Sequence, residues 1–174
     1  MKKTIIKIMY VLLALATITT LSGCAYSKKK ALAEYSESLR GDVVYWEAMQ
    51  LTSKQMLETN DIRSYVSYLG TIIGYMDTIV TNAENRNAGL YDYEIKGFDD
   101  YYVKAIKELR NGYALMQEGL NEQSESKMEQ GEKQMQAAIE DLTIYAEGMR
   151  DFMQKYNIKS NVDMDELLSA LAQP

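Results

Sequence analysis

The stretch Met128-Glu129-Gln130-Gly131-Glu132-Lys133-Gln134-Met135-Gln136-Ala137-Ala138-Ile139-Glu140-Asp141-Leu142, continued by Thr143-Ile144-Tyr145-Ala146-Glu147-Gly148-Met149-Arg150-Asp151-Phe152-Met153-Gln154-Lys155-Tyr156, decides the fold. Within it Met128, Gly131, Met135, Ala138, Leu142, Tyr145, Met149, Phe152 and Tyr156 recur at alternating threes and fours over four heptads. An α-helix turns once in 3.6 residues, so this spacing gathers them into one seam, as near-parallel helix packing requires. A seam of this kind needs partner helices.

The partners lie upstream. Tyr102, Ile106, Leu109, Tyr113, Met116 and Leu120 mark a third helix beginning near Phe98-Asp99, and the polar residues 121–126 form the turn between the two. Leu32, Tyr35, Leu39, Val43, Trp46, Met49 and Met56 make one face of a first helix over 28–58. Asn60-Asp61 interrupts it, and Asp61 is placed to cap a second helix over 62–85. That helix carries Ile62, Tyr65, Leu69, Ile72, Ile73, Met76, Val80 and Ala83, with Tyr68, Tyr75 and Ile79 on its other faces. Being apolar nearly all round, it belongs in the middle of a core. Asn161-Val162-Asp163 caps a short terminal helix over 163–172, whose Leu167, Leu168 and Leu171 would close one end. The only proline is Pro174, so no ring breaks any of these helices. The expectation is all-α: an antiparallel up-down-up-down four-helix bundle with a short C-terminal helix.

Composition limits the chemistry. The chain has 174 residues, one cysteine and no histidine. Ser-His-Asp and Cys-His nucleophiles, HExxH zinc sites and Glu-x-x-His di-iron sites are therefore excluded. With 19 basic against 25 acidic residues, the balance argues against nucleic acid, whose phosphates demand a basic face.

Lys2, Lys3 and Lys7 open the chain, Ile8 to Ala16 form a short apolar run, and Leu21-Ser22-Gly23-Cys24 follow. A basic start, a short apolar region and small residues at a cleavage point describe an export signal. Leu21-Ser22-Gly23-Cys24 resembles the lipobox of bacterial lipoproteins. The resemblance implies diacylglycerol on the Cys24 sulfur, possible N-acylation, and cleavage between Gly23 and Cys24. It covers residues 1–24 and is silent on the mature domain. It divides the chain into a cleaved signal (1–23), a lipidated cysteine with a short basic tether (24–30) and a bundle domain (31–174). Two acyl chains anchor stably where one is marginal. Loss of Lys2, Lys3 and Lys7 leaves 16 basic and 25 acidic residues, a formal charge of −9. Lys28-Lys29-Lys30 would lie within reach of anionic headgroups. Location is then the extracytoplasmic face of a membrane. Ala25 stands where an inner-membrane-retention Asp would, so a host with two membranes would sort the protein to the outer one by analogy.

Four features are candidates for function. Residues 85–97 read as a loop punctuated by Gly89 and Gly97, and long loops in compact domains are often functional. With its flanks this loop supplies Tyr91, Tyr93, Phe98, Tyr101 and Tyr102 as a partner-binding surface, the tyrosines suited to an envelope protein or a glycan. The alternative is a lid over the bundle end. Gly70 and Gly74, with Gly112, Gly119, Gly131 and Gly148, suggest close helix contact. Met149 and Met153 carry thioethers that suit copper(I), but the core-filling role of methionine is the simpler reading, and no metal or other cofactor is expected beyond the lipid. The calcium-loop order DxDxDG is absent. One hairpin, from Tyr113-Ala114-Leu115 to Ala137-Ala138, resembles a tetratricopeptide unit, yet no 34-residue periodicity extends it. The expected function is non-catalytic binding of another envelope component. Two alternatives stand beside it: a carboxylate-only glycan hydrolase, and a carrier of a small apolar ligand between helices.

Overall fold

The computed structural model describes residues 26–159, which form an all-α, antiparallel up-down-up-down four-helix bundle. Helix α1 spans Tyr26–Glu58, α2 Ile62–Gly89, α3 Tyr93–Glu122 and α4 Glu125–Lys155. The expected terminal helix over 163–172, the signal region and Cys24 lie outside the described residues.

Connections of three, three and two residues force sequential helices to be antiparallel neighbours. Each later start is capped as its sequence allows. Asp61 accepts from the Ser64 and Arg63 amides at 2.9 and 3.4 Å, satisfying donors that the helix itself leaves unpaired. Asp92 does the same for Glu94 and Ile95 at 3.0 and 3.4 Å, and Ser124 for Lys127 at 3.4 Å. Gln123 turns the chain in the left-handed region (φ 53°), and the Ser124 amide closes on the Gly119 carbonyl at 2.8 Å.

The core follows the seams. Leu69, Ile72, Met76, Ile79 and Ala83 of α2 are fully buried, as are Met135, Ala138, Leu142, Tyr145 and Met149 of α4. Helices α3 and α4 pack most closely, and glycine is the reason. A Cβ on Gly131 would stand 2.8 Å from the Gly112 carbonyl oxygen, and one on Gly112 would stand 3.0 Å from that of Gly131. Each helix presents bare backbone to the other at this crossing. Gly119 and Gly148 do the same against Met128 and Phe98. Gly74 does not belong to this set: nothing lies within 4 Å of a Cβ there, and Gly70 faces only the end of the Gln117 side chain.

One sequence expectation needs correction. Residues 85–97 are not a loop: α2 runs to Gly89, α3 begins at Tyr93, and only Leu90, Tyr91 and Asp92 connect them. The three-four spacing continues backwards from Tyr102 through Phe98 to Ile95, all buried, and forwards from Ala83 to Arg86. Gly97 is carried inside the helix because Asp92 caps the turn before it. The expected first helix over 28–58 is present and starts two residues earlier. Helix α1 already includes Lys28 and Lys29, with Lys28 bound to Asp92 and Glu94 at 2.7 and 2.8 Å and Lys29 largely buried. Lys28 thereby joins the start of α1 to the start of α3.

Candidate functional site

The bundle has two ends of different character. The end where α1 starts also holds the Leu90–Asp92 connector and the finish of α4. Here Glu94 is the hub: it pairs with Lys28 at 2.8 Å and with Lys155, and Tyr156 donates to it at 2.6 Å. Bonds from Lys155, Lys28 and Tyr156 to its charged form pull the Glu94 carboxyl down to about 2. Bonds to Asp92 and Glu94 raise the Lys28 ammonium above its ordinary range. Lys28 also lies near the Tyr93, Phe152 and Tyr156 rings, at 5.1, 5.8 and 5.5 Å from their centroids. This cluster ties α1, α3 and α4 together.

The five aromatics expected to form one surface divide. Tyr91 is fully exposed, and Tyr93 is 77% and Tyr101 39% exposed. Phe98 and Tyr102, only 5% and 2% exposed, face the core. Phe98 stacks edge-on against Tyr35 and Phe152, and Tyr102 lies 5.2 Å from the Tyr145 ring. The 3.6-residue period that buries Ile95 turns both inward, while Tyr101, three residues after Phe98, stays at the edge of the same side. Tyr101 instead borders a shallow groove between α3 and α4, of about 360 Å³, with Ile144 and Gly148.

Inside this half of the bundle lies a polar layer that sequence reasoning missed. The Arg86 guanidinium reaches Asp42 at 3.2 Å and Asp99 at 3.3 Å, and all three side chains are buried. Asn82 donates to Asp42 at 2.8 Å, Asn87 to Asp99 at 3.0 Å, and the Tyr35 hydroxyl to Asp99 at 2.7 Å. The Tyr35 and Tyr145 hydroxyls are 3.0 Å apart, so all four helices contribute. The Arg86 guanidinium also packs on the Tyr102 and Tyr35 rings, 4.9 and 5.6 Å from their centroids. Burial lifts the Asp42 carboxyl above its ordinary range and the Tyr35, Tyr102 and Tyr145 hydroxyls well above theirs. Two carboxylates share one guanidinium here, with all three side chains buried. Such a layer suits holding helices in register rather than turning over a substrate.

A second carboxyl pair is less deeply placed. Glu108 and Asp141 meet between α3 and α4, with Lys104 at 2.9 Å from Asp141 and 3.8 Å from Glu108. Burial and the bond to Asp141 raise the Glu108 carboxyl above its ordinary range. A carboxyl raised in this way beside a second carboxyl is a pattern that general acids share. Neither residue lines the groove beside Tyr101 or those at the two connector ends of the bundle. Met149 and Met153 are buried core residues.

The far end, where the α1–α2 and α3–α4 connectors meet, carries a groove of about 560 Å³. Tyr65, Met116, Leu120 and Met128 make its apolar part, and Ile62, 58% exposed, stands beside them. A smaller groove of about 290 Å³ lies by the opposite connector, next to Tyr91 and Arg86. Among the described residues no helix is long and apolar enough to cross a membrane. No protein-family model, curated protein or solved structure matches the chain.

Proposed function

We propose that this chain is an extracytoplasmic bacterial lipoprotein, held to its membrane by diacylglycerol on Cys24, whose helical bundle binds another envelope component without catalysis. One observation supports it most: the lipobox-like Cys24 lies two residues before Tyr26, where α1 begins. An anchor there leaves almost no tether, so the end with Leu90–Asp92 rests near the lipid. The helices then act as a rigid spacer, since 31 residues of α4 span ~45 Å. Exposed Tyr91 and Tyr93 fall on the lipid side, where tyrosine suits a headgroup layer. The groove beside Ile62 falls on the side offered to partners.

Labelled palmitate tests the anchor. The wild-type chain incorporates it and Cys24→Ala does not; an unlabelled wild type, or a labelled variant, overturns the proposal. The Glu108–Asp141 pair is the one observation that favours a glycan hydrolase instead. Turnover of cell-wall glycan by the purified protein, lost in Glu108→Gln, would establish that alternative.

A further inference from the structure

The groove at the end away from Cys24 is apolar within and acidic around its edge. Asp61 lies at the α2 cap, and Glu125, Glu129 and Glu132 lie along the first two turns of α4. Its lining contains neither Lys nor Arg. Among the described residues none of these four carboxylates forms an ion pair, and nearby Lys127 is taken by Glu118 and Glu122, each at 2.9 Å. Glu125 gains from the helix N-terminus. Glu129 sits four residues beyond it and Glu132 three further, where like charges on one face repel. The fold keeps an unfavourable charge stripe beside exposed Ile62 and half-buried Met128 and Leu120. Tyr65 adds a hydroxyl, buried and without a hydrogen-bond partner, to the same lining.

We propose that this groove seats the apolar face of a basic amphipathic helix from another envelope protein, its lysines or arginines meeting Asp61, Glu125, Glu129 and Glu132. Charge complementarity chooses the occupant. No three carboxylates among the described residues converge closely enough to hold a metal ion, so the acidic edge does not suit one point charge. From Glu125 to Glu132 the three glutamates extend over eight residues of α4, about 10 Å of helix. Basic residues at the same spacing on a helix lying along α4 meet them in turn, while apolar residues on its adjacent face enter the groove. The proposal deepens the lipoprotein reading and rests on it for one point only, that this end faces away from the bilayer.

The full-length protein in phosphatidylcholine vesicles is titrated with a fluorescein-labelled 18-residue helical peptide of Ala, Leu and Lys, followed by anisotropy against protein-free vesicles. Saturable one-to-one binding is expected, weakened at least tenfold by Glu125→Gln with Glu129→Gln and Glu132→Gln, and also by Ile62→Ser. The triple Glu47→Gln, Glu140→Gln and Glu147→Gln removes the same charge from exposed sites elsewhere and leaves affinity near wild type. Equal weakening by both triples, or none by the groove triple, overturns the proposal, as does equal binding of a peptide with Leu replaced by Ser. Thermal melts of each variant show that the fold is intact. Palmitate incorporation in the same preparations separates the two readings: label without peptide binding defeats the groove alone, and binding without label defeats the anchor alone.

Discussion

Arg86 is the residue whose environment most limits what can be changed. It is the only cation within bonding reach of buried Asp42 and Asp99 among the described residues. Arg86→Met strands both carboxylates in the core and is expected to cost about 3–5 kcal/mol by urea denaturation. Adding Asp42→Asn and Asp99→Asn to Arg86→Met should recover part of that loss, because neutral amides need no counter-charge. Glu94 sets the acid limit. Its folded pKa of about 2 is below its ordinary value of 4.5, so between these the unfolded chain binds more protons. Stability from this cluster is therefore fully present above about pH 4.5 and is lost as pH falls toward 2. Glu94→Gln should flatten that slope in denaturation curves taken at each pH. Asp42 and Glu108, raised by burial, act with the opposite sign and leave the slope of the variant correspondingly shallow. Sequence reading missed Arg86 for a physical reason: three residues after Ala83 it occupies a seam position, but a charge there reads as the end of the helix.

At the scale of elements, the glycines separate into those that a neighbour requires and those it does not. Gly131→Ala drives a methyl into the Gly112 carbonyl, which is backbone and cannot swing aside. It should destabilise the bundle by about 1–3 kcal/mol, the usual cost of overpacking. Gly74→Ala meets open space within α2 and should stabilise by up to ~1 kcal/mol through helix propensity. Thermal melts of the pair check both signs, and stabilisation by Gly131→Ala would refute the close crossing. All six glycines look alike in the sequence; only the distance to the facing helix tells them apart. Helix starts were more legible, since Asp61 supplies its cap from within three residues. The start at Asp92 was obscured by Gly89 and Gly97, whose cost to the helix is outweighed by burying Ile95 and Phe98.

For the whole molecule, direction is what matters. Four antiparallel helices put both ends of the chain's described part at one end of the bundle, with two connectors at the other. If Cys24 carries lipid, an introduced thiol is the only free one in the mature protein, because the chain has a single cysteine. A fluorophore on Tyr91→Cys should be quenched by headgroup nitroxide lipids and one on Ile62→Cys should not; the reverse pattern would overturn the orientation. Tyr91→Ala with Tyr93→Ala should leave the melting temperature nearly unchanged, since both side chains are largely exposed. Phe98→Ala or Tyr102→Ala should cost about 3–5 kcal/mol, as expected for core aromatics. Of the five aromatics grouped from their nearness in sequence, the bundle therefore keeps three at its surface and withdraws two.

Helical class, the number of long helices and most of their seams were determined by the sequence alone. These depend on a 3.6-residue period and on caps, and both act over a few residues. Tertiary structure decided the rest: that Asp42, Arg86 and Asp99 meet in one buried layer, that Gly112 faces Gly131, and that an acidic groove lies at the end remote from α1's start. Each joins residues far apart along the chain. Whether a charge is a surface residue or a core one depends on which counter-charge another helix brings within bonding distance. No local period encodes that distance.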